Sequence, residues 1–186
     1  MTSTITPGIC VFCGSRPGDD PAFVADATKI GQAIAAEGWR VIYGAGDIGI
    51  MGAVAEAAQA AGGKLFGVIP QHLVDREVGR ASADTYVVTD NMHTRKTVMF
   101  ANSAGILVLP GGPGTLDELF EVMTWRQLGV HDKPIVLLNT NGYWDGLIEL
   151  IDSIIARGFA EASFREFLTV VETPDQAMGA LRARLS

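Results

Sequence analysis

Seven short apolar runs recur along the chain, each parted from the next by a longer amphipathic stretch, and this alternation constrains the fold more than any other feature. The runs fall at 8–14 (GICVFCG), 40–44 (RVIYG), 64–69 (KLFGVI), 85–89 (TYVVT), 105–110 (GILVLP), 134–139 (PIVLLN) and 167–171 (FLTVV). Helical patterns lie near 20–37, 50–61, 92–102, 115–128, 144–157 and 174–185. A run that is apolar at consecutive positions, rather than at every second one, suits a strand covered by helices on both faces. Repeated β–α alternation of this kind predicts right-handed crossovers and a parallel sheet. The expected fold class is α/β: a doubly wound, Rossmann-like, mainly parallel sheet of about seven strands flanked by helices. No linker or repeat interrupts it, so residues 1–186 read as a single domain.

Such a sheet gathers ligands beyond the carboxyl ends of its strands, where the chain turns into helices. Polar or glycine-rich segments fall there: Gly14-Ser15-Arg16, 44–49, 75–77, 90–96 and 111–118. Charge narrows what can bind. With 14 Lys and Arg against 21 Asp and Glu, the net charge is −7. That argues against nucleic acid or a membrane surface as partner, since both need a basic face. A small phosphorylated ligand stays open, because a few N–H groups and one or two cations can hold an anion on an acidic protein. No apolar run reaches the length of a membrane span. The opening MTSTITPGIC has no basic stretch followed by a long apolar one, so a cytoplasmic location is expected.

Cys10 and Cys13 have the C-x-x-C spacing of a redox pair or of half a metal site. On a strand, however, residues three apart face opposite sides with Cα atoms about 10 Å apart, beyond disulfide reach. No second cysteine pair exists, and His72, His93 and His131 are scattered. No metal site is expected.

The segment YGAGDIG, residues 43–49, contains G-x-G-x-x-G after an apolar run. A dinucleotide site also needs an acid at the tip of the next strand, to bind the ribose hydroxyls. Here that strand ends in Ile69-Pro70-Gln71, and the loop follows the second strand instead of opening the fold. A tight turn that lets backbone or ligand approach closely explains it better. The segment GILVLPGGPGTLDELFE, residues 105–121, carries more information. Glycines between a strand and a helix N-terminus let amides converge on an anion, and the helix adds about half a positive charge. The G-K-[ST] ending of a nucleotide triphosphate loop is absent. Thr115 to Glu118 also has the T-x-x-E form of a capping box, in which Glu118 would merely bond back to the Thr115 amide. In DNMHTRKTVMF, residues 90–100, His93, Arg95 and Lys96 lie in the first turns of a helix, where the dipole disfavours cations. Either they sit on a solvated face or an anionic ligand compensates them.

With these residues in view, the chain resembles the LOG ("Lonely guy") family, the cytokinin riboside 5′-monophosphate phosphoribohydrolases, often called possible lysine decarboxylases. The family pattern P-G-G-x-G-T-x-x-E is matched by residues 110–118, and M-H-x-R-K by Met92, His93, Arg95 and Lys96. CVFCGS, YGAGDIGIMG and Arg76-Glu77-Val78 match as well, so the likeness covers nearly the whole chain. It implies a nucleotide-binding domain that hydrolyses the N-glycosidic bond of a nucleoside 5′-monophosphate, giving free base and ribose 5-phosphate. The implied substrates are N6-prenylated adenine nucleotides, with AMP accepted by some relatives. Carried over by motif, the catalytic pair is Arg95 and Glu118. Substrate-binding positions are Gly14, Ser15, Gly44, Gly46, Glu77, Met92, Lys96 and Thr124, with Gly111, Gly112, Pro113, Gly114, Thr115, Leu116 and Asp117 of the second glycine loop. The resemblance implies no cofactor, and a homodimer with residues of both subunits near the site. Pro113 stands where an aromatic is frequent, Ala45 where a glycine is, and Thr94 where Glu is. Pro113 brings no N–H to the cradle.

Two rivals follow from the same residues. Molybdenum-cofactor carriers share this architecture and bind a phosphorylated pterin without chemistry. A pyridoxal-phosphate decarboxylase needs a Schiff-base lysine. Of Lys29, Lys64, Lys96 and Lys133, only Lys96 falls near the expected site. Finally, the 115–128 helix bears Leu116, Leu119, Phe120, Met123 and Trp125 around much of its circumference. It packs either on the core alone or on core and partner.

Overall fold

The computed structural model describes residues 6–74 and 83–185. Each apolar run becomes a strand: β1 Gly8–Phe12, β2 Arg40–Tyr43, β3 Lys64–Pro70, β4 Thr85–Thr89, β5 Gly105–Val108, β6 Ile135–Leu138 and β7 Leu168–Val171. Their order across the sheet is β4-β3-β2-β1-β5-β6-β7, and every pairing is parallel. The helices are α1 Pro21–Ala36, α2 Gly49–Ala60, α3 Gln71–Val74, α4 Met92–Ala101, α5 Pro113–Gln127, α6 Asp145–Ala156, α7 Ser163–Glu166 and α8 Pro174–Leu185. The short α3 and α7 go beyond the sequence-based expectation, since four residues are too few to display a helical period.

Successive strand residues feed opposite cores, which is why the runs are apolar throughout. In β1, Ile9 and Val11 join a cluster with Phe23, Ile30 and Ile34 of α1, Val54 of α2 and Leu181 of α8. Cys10 and Phe12 join the other, with Met99 of α4, Leu119 and Met123 of α5 and Ile151 of α6. Cys10 and Cys13 thus fall in different cores, and both are free, buried thiols. Burial, followed by the nearby Glu118 carboxylate, pushes both thiols up from the ordinary range.

The strand order fixes where a ligand can sit. From β1 the chain winds outward through β2 and β3 to β4, then crosses back to β5 and winds the other way. The loops after β1 and β5 therefore diverge to opposite faces and leave a crevice at this switch point. The first glycine loop follows β2, one strand removed from the switch, which agrees with reading it as a turn rather than a dinucleotide fingerprint. Among the described residues no helix is long and apolar enough to cross a membrane.

Candidate functional site

A cavity of about 780 Å³ opens at the switch point. One wall is the loop after β1, including Cys13, Gly14, Ser15 and Arg16; the other is the loop after β5, residues 110–115. The two walls are joined: the Gly14 amide donates to the Pro110 carbonyl at 3.0 Å, and the Met51 amide donates to the Gly14 carbonyl at 3.1 Å. A Cβ on Gly111 would collide with Thr115 and with the Gly14 amide. Close approach therefore needs glycine there. Gly112 and Gly114 differ, since a Cβ on either would meet nothing within 4 Å.

Helix α5 begins at Pro113, with Gly112 as its N-cap, two residues before the expected start. Proline at the first helical position has its φ already set and gives up an amide that no turn would bond. The first amide of α5 to bond a backbone carbonyl is Leu116, onto Gly112 at 3.1 Å. The amides of Gly112, Gly114 and Thr115 precede it and carry the positive end of the helix dipole at the cavity wall. The Tyr143 hydroxyl donates to the Gly111 carbonyl at 2.6 Å, bracing the loop.

The capping box does not form. No side chain caps α5, and Glu118 lies on its buried side. There the Arg95 Nη1 donates to Glu118 Oε1 at 3.2 Å, while Arg95 Nε donates to the Val68 carbonyl at 3.1 Å. Both side chains are about nine-tenths buried and both line the cavity. Of the three basic residues of α4, Arg95 and Lys96 are thus not on a solvated face, being 7% and 6% exposed, whereas His93 is exposed. Only Asn91, which accepts from the Thr94 amide, caps that helix. Burial pushes the Glu118 carboxyl up to about 7; Arg95 opposes the rise but is outweighed, and Asp117 adds to it. Loss of hydration for a buried carboxylate outweighs one counter-charge.

Gly44 packs against this pair and does not line the cavity. A Cβ on Gly44 would overlap the second terminal nitrogen of Arg95, so the glycine clears the seat in which the guanidinium lies. Gly46 donates its amide to the Met51 sulfur at 3.3 Å, and Met51 lines the cavity.

Of the expected site residues, the cavity brings together Gly14, Ser15, Met92, Arg95, Gly111, Gly112, Pro113, Gly114, Thr115 and Glu118. Glu77 lies outside the described residues. Lys96 does not line the cavity: its Nζ is held by Asp117 Oδ2 at 2.9 Å and Glu121 Oε2 at 3.2 Å. Burial pulls that ammonium down, yet these two carboxylates outweigh it and leave it raised. Leu116, Asp117 and Thr124 line a separate shallow groove with Phe120, Glu121 and Trp125. Sequence reading left other cavity residues unassigned. Arg16 and Asp19 follow β1 directly, and that position was the available signal. Phe23 and Tyr143, whose rings meet edge-on at 5.2 Å, gave none, because an aromatic in a helix or turn looks like core.

A family model described as "Possible lysine decarboxylase" matches residues 51–181. A cytokinin riboside 5′-monophosphate phosphoribohydrolase of Mycobacterium tuberculosis is 43% identical over 175 residues, 94% of this chain and 91% of that protein. One from Arabidopsis thaliana is 38% identical over 175 residues, 94% of this chain and 77% of its own length. A rice relative (Oryza sativa subsp. japonica), described as a "probable" enzyme of the same name, is 40% identical over 170 residues, 91% of this chain and 76% of the relative. Among solved structures, the molybdenum cofactor carrier protein of Chlamydomonas reinhardtii superposes with a TM-score of 0.75 at 23% identity, covering 97% of this chain and 98% of that one. The molybdenum cofactor binding protein of Rippkaea orientalis gives 0.76 at 21%, covering 99% and 100%. At that identity the structures share the fold.

Proposed function

The chain belongs to the LOG family of phosphoribohydrolases, and from that premise we propose that it cleaves the N-glycosidic bond of cytokinin riboside 5′-monophosphates, N6-substituted AMP and AMP itself. Water adds across the C1′–N bond, giving free base and ribose 5-phosphate. The observation that carries the proposal is the buried Arg95–Glu118 pair, 3.2 Å apart, in the same cavity as the unpartnered start of α5. The amides of Gly112, Gly114 and Thr115 hold the 5′-phosphate and set the register of the nucleotide. Breaking the bond builds positive charge on the ribose. Glu118, once ionised, faces that charge and stabilises it. A carboxyl with a pKa near 7 is also matched to accepting a proton from the attacking water. Arg95 keeps Glu118 in place, favours its ionised form and donates toward the leaving purine.

A homodimer is part of the proposal. The α5 face bearing Leu116, Phe120, Thr124 and Trp125 lines a groove outside the cavity, and a second copy covering it would bring those residues to an interface.

The rivals make different demands. A Schiff-base lysine has to be neutral to attack, whereas Lys96 is held charged by two carboxylates. A cofactor carrier would retain a pterin and release no base. The test is a release assay on AMP and isopentenyladenosine monophosphate with wild type and Glu118→Gln, a change that preserves shape. Wild type is expected to liberate free base and the variant to lose at least about 10³-fold. Near-wild-type turnover by Glu118→Gln would overturn the catalytic assignment.

A further inference from the structure

Among the described residues the cavity is short of one cation. A nucleotide phosphate carries about −1.5 to −2 charges near neutral pH, and the amides and dipole of α5 supply only a fraction of a positive charge. Lys96, expected from its motif to help, is neutralised by Asp117 and Glu121 outside the cavity. Arg95 is committed to Glu118 and to the Val68 carbonyl. The other cation lining the cavity is Arg16, whose side chain is exposed and makes no hydrogen bond or ion pair among the described residues. Asp19 is the acid nearest in sequence that shares the wall.

The backbone of Arg16 is fixed although its side chain is free. Its amide nitrogen and the carbonyl of Ser15 lie against Gly49, so closely that a Cβ there would collide with both. On the other side Gly14 is bonded to Pro110. The residue is thus anchored on the wall facing the first turn of α5, with a long side chain able to swing inward. A guanidinium presents a planar fork of donors that matches two phosphate oxygens.

We propose that Arg16 is the phosphate-reading residue of this cavity: it folds onto the 5′-phosphate seated on the α5 amides and separates nucleoside monophosphates from unphosphorylated nucleosides. The inference rests on the function proposed above, but it concerns binding and can be tested without turnover. Titration calorimetry of wild type, Arg16→Gln and Arg16→Lys with AMP, adenosine and inorganic phosphate reads it directly. Arg16→Gln is expected to weaken AMP and inorganic phosphate by about 10- to 100-fold, the scale of one charge-assisted contact. Adenosine binding should not change, and Arg16→Lys should recover part of the loss. In the release assay the same variant should raise KM by that factor while kcat stays within about threefold.

Equal AMP affinity in wild type and Arg16→Gln would overturn the inference. So would a fall in kcat at unchanged KM, since Arg16 would then act on the bond and not the phosphate. A wild type that binds AMP, loses that binding on Arg16→Gln and releases no base would instead sink the hydrolase reading and leave Arg16 in its role.

Discussion

The turns after β2 and β5 each carry three glycines, Gly44, Gly46 and Gly49 in one and Gly111, Gly112 and Gly114 in the other. In the first, Gly44 and Gly49 have no room for a side chain. Gly44 clears the Arg95 guanidinium, and Gly49, at φ +66°, presses on the backbone of residues 15 and 16. In the second, Gly111 is packed in the same way, but Gly112 and Gly114 face open space at the cavity wall. The first turn thus packs against protein groups, while the second leaves two of its glycines open toward the cavity. Glycine composition cannot separate these uses, because a missing Cβ serves close packing and ligand approach equally.

Substitutions can break or sharpen this contrast. The largest effect is expected at Gly49→Ala, which combines a left-handed backbone with a collision against residues 15 and 16. It should destabilise the fold by about 3 kcal/mol, read as a lower urea midpoint at unchanged slope. A midpoint equal to wild type would show that the turn has room to spare.

A pH effect of similar size attaches to Glu118. Its carboxyl lies near 7 instead of the ordinary 4.5, so the folded chain binds that proton more tightly than the unfolded one. The resulting stabilisation is complete below pH 4.5 and is lost as pH rises through 7, about 3 kcal/mol in all. Urea unfolding of the ligand-free protein at pH 5 and pH 8 should show the fall, and Glu118→Gln should flatten it. The same ionisation should appear as an acid limb in kcat/KM, with activity rising as pH increases through about 7.

Gly44→Ala comes next. Displacing the guanidinium should cost about 10²-fold in kcat/KM, while circular dichroism reports an intact fold. Because Arg95 lowers the Glu118 pKa, this variant should also move the acid limb to higher pH. An unmoved limb would mean that the first turn does not seat Arg95. The smallest change is expected at Gly114→Ala, where KM for AMP should rise about tenfold as the methyl group crowds the phosphate. Stability should go the other way, up by about 0.5 to 1 kcal/mol, since alanine favours a helix over glycine. A variant destabilised in both respects would place the second turn with the first.

The sheet was legible because its evidence is local and redundant. Seven runs of the right length and composition, with helical periods between them, admit few arrangements, and those runs became the strands. Legibility faded at the ends of elements. The run at 8–14 leaves the strand after Phe12, so that Cys13 and Gly14 line the cavity. The T-x-x-E spacing at 115–118 suggested a cap, yet α5 had already started at Pro113 and carried Glu118 round to Arg95. Lys96 and Arg95 are adjacent in one motif, but a helix turns about 100° per residue. One therefore faces the cavity and the other faces Asp117 and Glu121.

What the sequence determined by itself is the fold class and the position of the glycine loops at strand ends; the pairing of Arg95 with Glu118 came from the resemblance to the LOG family. Periodicity and turn chemistry are written in neighbouring residues, so they survive reading in one dimension. What only the tertiary structure decided is which groups share a cavity. It joined Arg95 to Glu118 across 23 positions, withdrew Lys96 into a clamp on α5 and, among the described residues, left Arg16 as an unpaired cation on the wall. Desolvation and pairing depend on distances between segments remote in sequence, and those distances come into being only when the sheet assembles.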